Sequence, residues 1–135
     1  MINQVEAQNI LQDFLRIESV TPDAKKSFDF LEKLFKKYNF EIHRVKFGSA
    51  DTIEVENMFA IIGSGGPHLN FAGHVDVVPP GELNSWKHPP FSGHIEEGVI
   101  YARGAEDMKG AVIASIVAGI NYYERMDSKG TLSYM

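Results

Sequence analysis

His74 and Asp76, two residues apart at the end of an apolar run, and Asp107, in a later acidic loop, are the side chains whose types and spacing point to chemistry. Imidazole and carboxylate suit zinc and similar divalent ions. His74 stands in Phe71-Ala72-Gly73-His74-Val75-Asp76-Val77-Val78-Pro79-Pro80-Gly81, where a strand end holds the ring on a rigid sheet while it projects into a cleft. If the strand geometry persists, Asp76 points to the same side as His74 and accepts its other ring N–H, fixing the tautomer. Asp107 precedes Met108, Lys109, Gly110 and a long apolar stretch, so its carboxylate lies near a helix start. Its two oxygens can bridge two ions. A pair of ions about 3.5–4 Å apart activates water and polarises a carbonyl, which points to amide hydrolysis. A catalytic zinc takes three protein ligands, and these loops offer two. By itself a His-x-Asp pair also occurs as a hydrogen-bonded structural pair, and that reading stays open at this point.

The 135 residues contain no cysteine, which excludes disulfides and thiolate metal sites. A net charge of -5 with both signs spread along the chain argues against nucleic acid as a partner, since that needs clustered Lys and Arg. No apolar run reaches membrane-span length, and Met1-Ile2-Asn3-Gln4 lacks the start of a signal peptide. No membrane partner and a cytoplasmic location are the expectation. With 44% hydrophobic and 23% charged residues, the composition is that of one globular domain.

The positioning elements follow from periodicity. Ala7, Ile10, Leu11, Phe14 and Leu15 share one helical face, and Asn3 with Glu6 forms a capping-box pattern, predicting a helix from 4 to about 17. Phe28, Leu31, Leu34, Phe35 and Tyr38 predict a second helix ending at Asn39. Both stripes read as core. Phe40 and Ile42, then Val45 and Phe47, alternate in two phases, predicting a strand with a bulge or a slip near His43 and Arg44, with His43 exposed. Residues 57–62 read as an interior strand and Gly63-Ser64-Gly65-Gly66-Pro67 as a tight connection, since it lacks the Lys of a phosphate loop. Leu69 to Ala72 starts the strand aimed at His74. Trp86 to Phe91 reads as a packed loop, and residues 93–96 and 99–102 as a hairpin around Glu97-Gly98. Residues 111–120 form an apolar helix that needs cover on most sides, and Thr131 to Met135 reads as a strand. His68, His88 and His94 read separately as solvated or hydrogen-bonded. Arg103 reads as a structural ion pair before an anion site. Alternating elements with an antiparallel hairpin give an α/β fold with a mixed sheet covered by helices.

Gly-His-x-Asp-Val-Val-Pro, followed by a Trp and Pro-Phe loop and then Arg-Gly-x-x-Asp-Met-Lys-Gly, resembles the M20 family of zinc-dependent amidohydrolases and exopeptidases. The resemblance covers almost the whole chain. It implies a partial zinc-exopeptidase-like catalytic domain with His74 as a metal ligand, Asp76 as the carboxylate that orients it, and Asp107 bridging two zinc ions, with cobalt as an alternative metal. It also implies a cis peptide between Asp107 and Met108. Glu106 departs from the family pattern and reads as a surface carboxylate. Val77 to Leu83 with Trp86 and Pro90-Phe91 is most similar to the members that remove succinate from N-succinyl-diaminopimelate. Acetylornithine deacetylation and dipeptide cleavage are the alternatives within the family. The implied partner is a small acylated amino acid.

The family's Glu-Glu pair, later carboxylate and late histidine are not in this sequence. Residues 1–135 therefore read as the amino-terminal part of the metal-binding catalytic domain, with the lid and dimerisation domain and the carboxy-terminal half lying outside it. Homodimerisation is implied for the full-length enzyme only. Two other readings remain: a folded but inactive segment that binds metal weakly, and a binding module that uses the apolar helix as an interface.

Overall fold

The computed structural model describes residues 1–125 and 127–135. Helix α1 (Gln4–Leu15) begins where the sequence predicts. The Asn3 side chain accepts from the Glu6 N–H and the Glu6 carboxylate accepts from the Asn3 N–H, each at 3.0 Å. These bonds satisfy two backbone donors that a helix start otherwise leaves without partners. Helix α2 (Lys25–Lys37) buries Leu31 and Phe35, and the chain leaves it through Asn39 in the left-handed region at φ 63°.

Strands β1 (Glu41–Phe47) and β2 (Val55–Ser64) pair antiparallel, and β3 (His68–Phe71) lies at the far side of the same sheet. Strands β4 (His94–Glu96) and β5 (Val99–Tyr101) form the separate predicted hairpin, with Glu97 and Gly98 both at positive φ in its turn. Helix α3 (Gly110–Tyr123) then leads to β6 (Gly130–Tyr134), which enters the sheet between β2 and β3. β6 is antiparallel to β2 and parallel to β3, so the sheet is mixed, as expected.

The expected bulge or slip in β1 is absent, because every residue from Glu41 to Phe47 has a partner on β2 in one continuous register. Ile42 and Arg44 lie opposite Ala60 and Met58, two core residues, whereas Val45 and Phe47 point to the other face and are 47% and 63% exposed. The second apolar phase is thus an outward-facing one. Arg44 takes an inward position because its charge is paired there. Its Nε and Nη2 donate to Glu56 at 2.8 and 2.7 Å, and Nη1 donates to Asp29 at 2.6 Å and Glu32 at 2.9 Å. Asp29 and Glu32 are on α2, so the guanidinium fastens that helix to the sheet.

One hydrophobic core joins the helices to the sheet: Phe14, Leu31, Phe35, Phe40, Met58, Ala60, Val75, Ile113, Ile116, Ile120, Leu132 and Tyr134. Burying each larger side chain contributes about 1.5–3 kcal/mol. The Tyr134 ring lies 5.2 Å from Phe35 and 5.5 Å from Phe71, and its hydroxyl donates to the Ser115 carbonyl at 2.8 Å. That reach crosses Gly119, where a Cβ would stand 2.1 Å from the hydroxyl oxygen. Along α3, Ile113, Ile116 and Ile120 are buried while Ala111, Ala114 and Ala118 are exposed. The uncovered strip is therefore built of small side chains.

Candidate metal centre

The first loop is set by backbone pairing that continues beyond β3. Met135 N–H donates to Phe71 O and Gly73 N–H to Met135 O, both at 2.9 Å. Further on, Val77 N–H donates to Ser19 O at 2.9 Å and Thr21 N–H to Val77 O at 3.0 Å, while the Ser19 hydroxyl bonds Val75 O at 2.7 Å. Extended geometry therefore persists in alternation. Val75 and Val77 are buried at 7% and 3% exposure, and His74 and Asp76 are more exposed.

The second loop approaches through Gly104, which has φ 82° and whose Cβ, if present, would stand 2.5 Å from a Val77 methyl. Only glycine permits both that conformation and that approach. Residues 105–109 make a kinked turn, and the Asp107–Met108 peptide is cis, as the resemblance implies. The fully buried Lys109 ammonium donates to Phe14 O at 3.2 Å and Ile17 O at 2.8 Å, holding the turn against the end of α1. Burial pushes its pKa down to about 8.

The result is a cleft of about 290 Å³ lined by His74, Asp76, Asp107, Thr21 and Arg103 among others. His74 Nε2 lies 3.0 Å from Asp107 Oδ1, and His74 Nδ1 lies 3.0 Å from the Asp76 backbone carbonyl. The Asp76 carboxylate is farther, at 3.4 Å, and accepts instead from the Thr21 hydroxyl at 2.5 Å. The expected contact from the Asp76 carboxylate is thus replaced by its own carbonyl. One oxygen of that carboxylate stays beside the ring while the other takes the Thr21 hydrogen bond.

Both ring nitrogens of His74 therefore face atoms that can only accept. Both contacts are hydrogen bonds when the ring carries two protons. Burial works against that charge, but the Asp76 carbonyl and the Asp107 carboxylate outweigh it and raise the pKa. A cation between Nε2 and Oδ1 takes the place of one proton, so the donor set fits a metal ion. Two ligands of one tetrahedral ion at 2.0–2.1 Å lie about 3.3 Å apart, close to the separation seen here. The Asp107 side chain is 86% exposed, open to such an ion.

Glu106 is exposed at the rim of the same cleft, in keeping with a surface carboxylate. Arg103 departs from expectation. Among the described residues it has no acidic partner; its guanidinium lies over the Trp86 ring at 5.1 Å, and Trp86 Nε1 donates to Pro80 O at 2.9 Å. His68 is hydrogen-bonded to the Ser133 hydroxyl at 2.8 Å, as read. His88 and His94 are not separate. Their rings stack at 3.8 Å, and with Glu96 they form a cluster that the sequence reading missed. The available signal was His94-x-Glu96, which places both side chains on one face of a strand.

Residues 70–134 match the profile of Peptidase family M20/M25/M40. With the matching fold and relatives, the chain belongs to the M20 family. Among the curated relatives, one from a Bradyrhizobium species named succinyl-diaminopimelate desuccinylase is 43% identical over 132 residues, covering 96% of this chain and 34% of that protein. Another of the same name from Rhodopseudomonas palustris is 42% identical over 137 residues, covering all of this chain and 35% of that protein. The chain thus spans about a third of the length of these relatives. The fold is shared with an M20 family metallo-carboxypeptidase from Sulfolobus solfataricus, at a TM-score of 0.83 and 24% identity, over 96% of this chain and 30% of that one. Human carnosine dipeptidase 1 matches at 0.81 and 20% identity, over 97% and 31%.

Proposed function

We propose that this chain is the amino-terminal part of the metal-binding catalytic domain of an amide hydrolase that removes succinate from N-succinyl-LL-2,6-diaminopimelate. The observation that carries the metal part is the convergence of His74 and Asp107 at 3.0 Å, with His74 facing acceptors at both nitrogens. The substrate part rests on relatives at 42–43% identity that bear the desuccinylase name.

His74 and Asp107 would hold zinc, or cobalt, and by the resemblance Asp107 would be the residue shared between two such ions. Such ions supply Lewis acidity toward the scissile carbonyl and lower the pKa of water. The chain's own residues orient and select. The Asp76 carbonyl holds Nδ1–H, leaving Nε2 as the ligand atom, and the Asp76 carboxylate, anchored by Thr21, adds negative charge beside the imidazole. Val77 and Val78 line the cleft, and the two prolines after them stiffen the chain that leaves it. We further infer that activity needs ligands and a general base beyond these loops, so that the 135-residue segment binds metal weakly without turnover. A cytoplasmic, homodimeric parent enzyme accords with this reading. Among the described residues, no helix is long and apolar enough to cross a membrane.

The test is acyl release by the zinc-loaded enzyme that carries this segment. Release of succinate from N-succinyl-LL-2,6-diaminopimelate well above acetate release from N-acetylornithine is expected, and the reverse preference overturns the substrate assignment.

A further inference from the structure

We propose that His88, His94 and Glu96 form a second site for a borderline divalent transition metal ion, separate from the His74–Asp107 pair. The cluster joins two elements that are otherwise distinct. His94 and Glu96 stand two residues apart on β4 and so share one face of the hairpin, while His88 comes from the proline loop before it. One ligand atom from each lies within 4.8 Å of the other two. Ligands of a tetrahedral ion at 2.0–2.1 Å are about 3.3 Å apart, so donors within 4.8 Å of one another need to close by at most about 1.5 Å. His94 is exposed and His88 and Glu96 are half-buried, so rotation of His94 and Glu96 toward His88 supplies that.

The donor set selects the ion. Two imidazoles and one carboxylate, with no thiolate, suit Ni²⁺, Cu²⁺ and Zn²⁺ over Mg²⁺ or Ca²⁺. The two rings stack at 3.8 Å and 24°, which brings two imidazoles together beside one carboxylate. Glu96 Oε2 meets the Lys87 ammonium and, at 3.4 Å, His88 Nε2. The Glu96 carboxylate is thus held beside the two rings by its contact with Lys87. Lys87 is then the competitor that an ion must displace. A bound ion would cross-link the Trp86–Phe91 loop to β4, next to the strand that leads into Arg103 and the Asp107 loop.

Titration of the 135-residue chain with Ni²⁺ by calorimetry, and with Cu²⁺ by electron paramagnetic resonance, tests this without reference to catalysis. Wild type should bind one equivalent that His74→Ala and Asp107→Asn leave in place. His94→Ala and Glu96→Gln should each weaken that equivalent by about tenfold or more, and the Cu²⁺ spectrum should lose one coupled nitrogen in His94→Ala. Lys87→Met should tighten it by roughly twofold to fivefold, the effect of removing an exposed competing charge. This variant keeps the test decisive if a histidine variant folds poorly. Binding unchanged in His94→Ala and Lys87→Met, or lost only in His74→Ala, overturns the proposal. The second of those results would leave the His74–Asp107 reading intact.

Discussion

His74 Nε2 and Asp107 Oδ1 meet at 3.0 Å across 33 positions of sequence, one carried past the end of β3 and the other on the turn before α3. Neither loop could place its group alone. The contact depends on Gly104 packing against Val77 and on Lys109 holding the turn to α1.

Thr21 fixes the Asp76 carboxylate beside the imidazole with its 2.5 Å hydrogen bond. Thr21→Val should therefore weaken zinc binding at His74 by about tenfold, the usual effect of losing a group behind a ligand. Calorimetry measures it, and unchanged affinity would show that Asp76 needs no such anchor.

Gly119→Ala sets two effects against each other. Alanine favours a helix interior by about 1 kcal/mol over glycine. Its Cβ, however, would stand 2.1 Å from the Tyr134 hydroxyl and 2.4 Å from Leu132 Cδ2. Overpacking of this kind costs about 1–3 kcal/mol. A net loss of stability is expected in urea unfolding, and a gain would mean that Tyr134 does not occupy this position.

The Arg44 cluster should make the fold acid-sensitive. Hydrogen bonds from Lys25 and Arg44 hold Asp29 down to about 2, and those from Lys36 and Arg44 lower Glu32. Carboxylates depressed in the folded state contribute stability above their unfolded pKa, and that contribution is lost as pH falls through the folded value. For Asp29 the loss falls between about pH 4 and pH 2. Arg44→Leu should lower the urea midpoint at pH 7 and flatten its fall across that window. A variant with the wild-type pH slope contradicts this assignment.

These cases mark what could be read from sequence. Local signals held: the Asn3–Glu6 capping box, the left-handed Asn39, the Glu97-Gly98 turn and the alternation through Val75 and Val77 each depend on neighbours along the chain. The two loops that bring His74 and Asp107 together could be singled out because each carries its residue types in a short contiguous run. What failed was non-local. Arg44 is inward because acids from α2 and β2 arrive around it, and a strand's own apolar pattern does not report partners 12 and 15 positions away. Thr21 reaches Asp76 across 55 positions, and His88 finds His94 through a loop with no periodicity to place it.

The central claim is that His74 and Asp107 jointly hold the metal. Zinc calorimetry on the chain in a His94→Ala background isolates that pair from the hairpin cluster. Micromolar or weaker binding is expected, falling by about tenfold or more in both His74→Ala and Asp107→Asn. Affinity unaltered by either substitution would contradict the account.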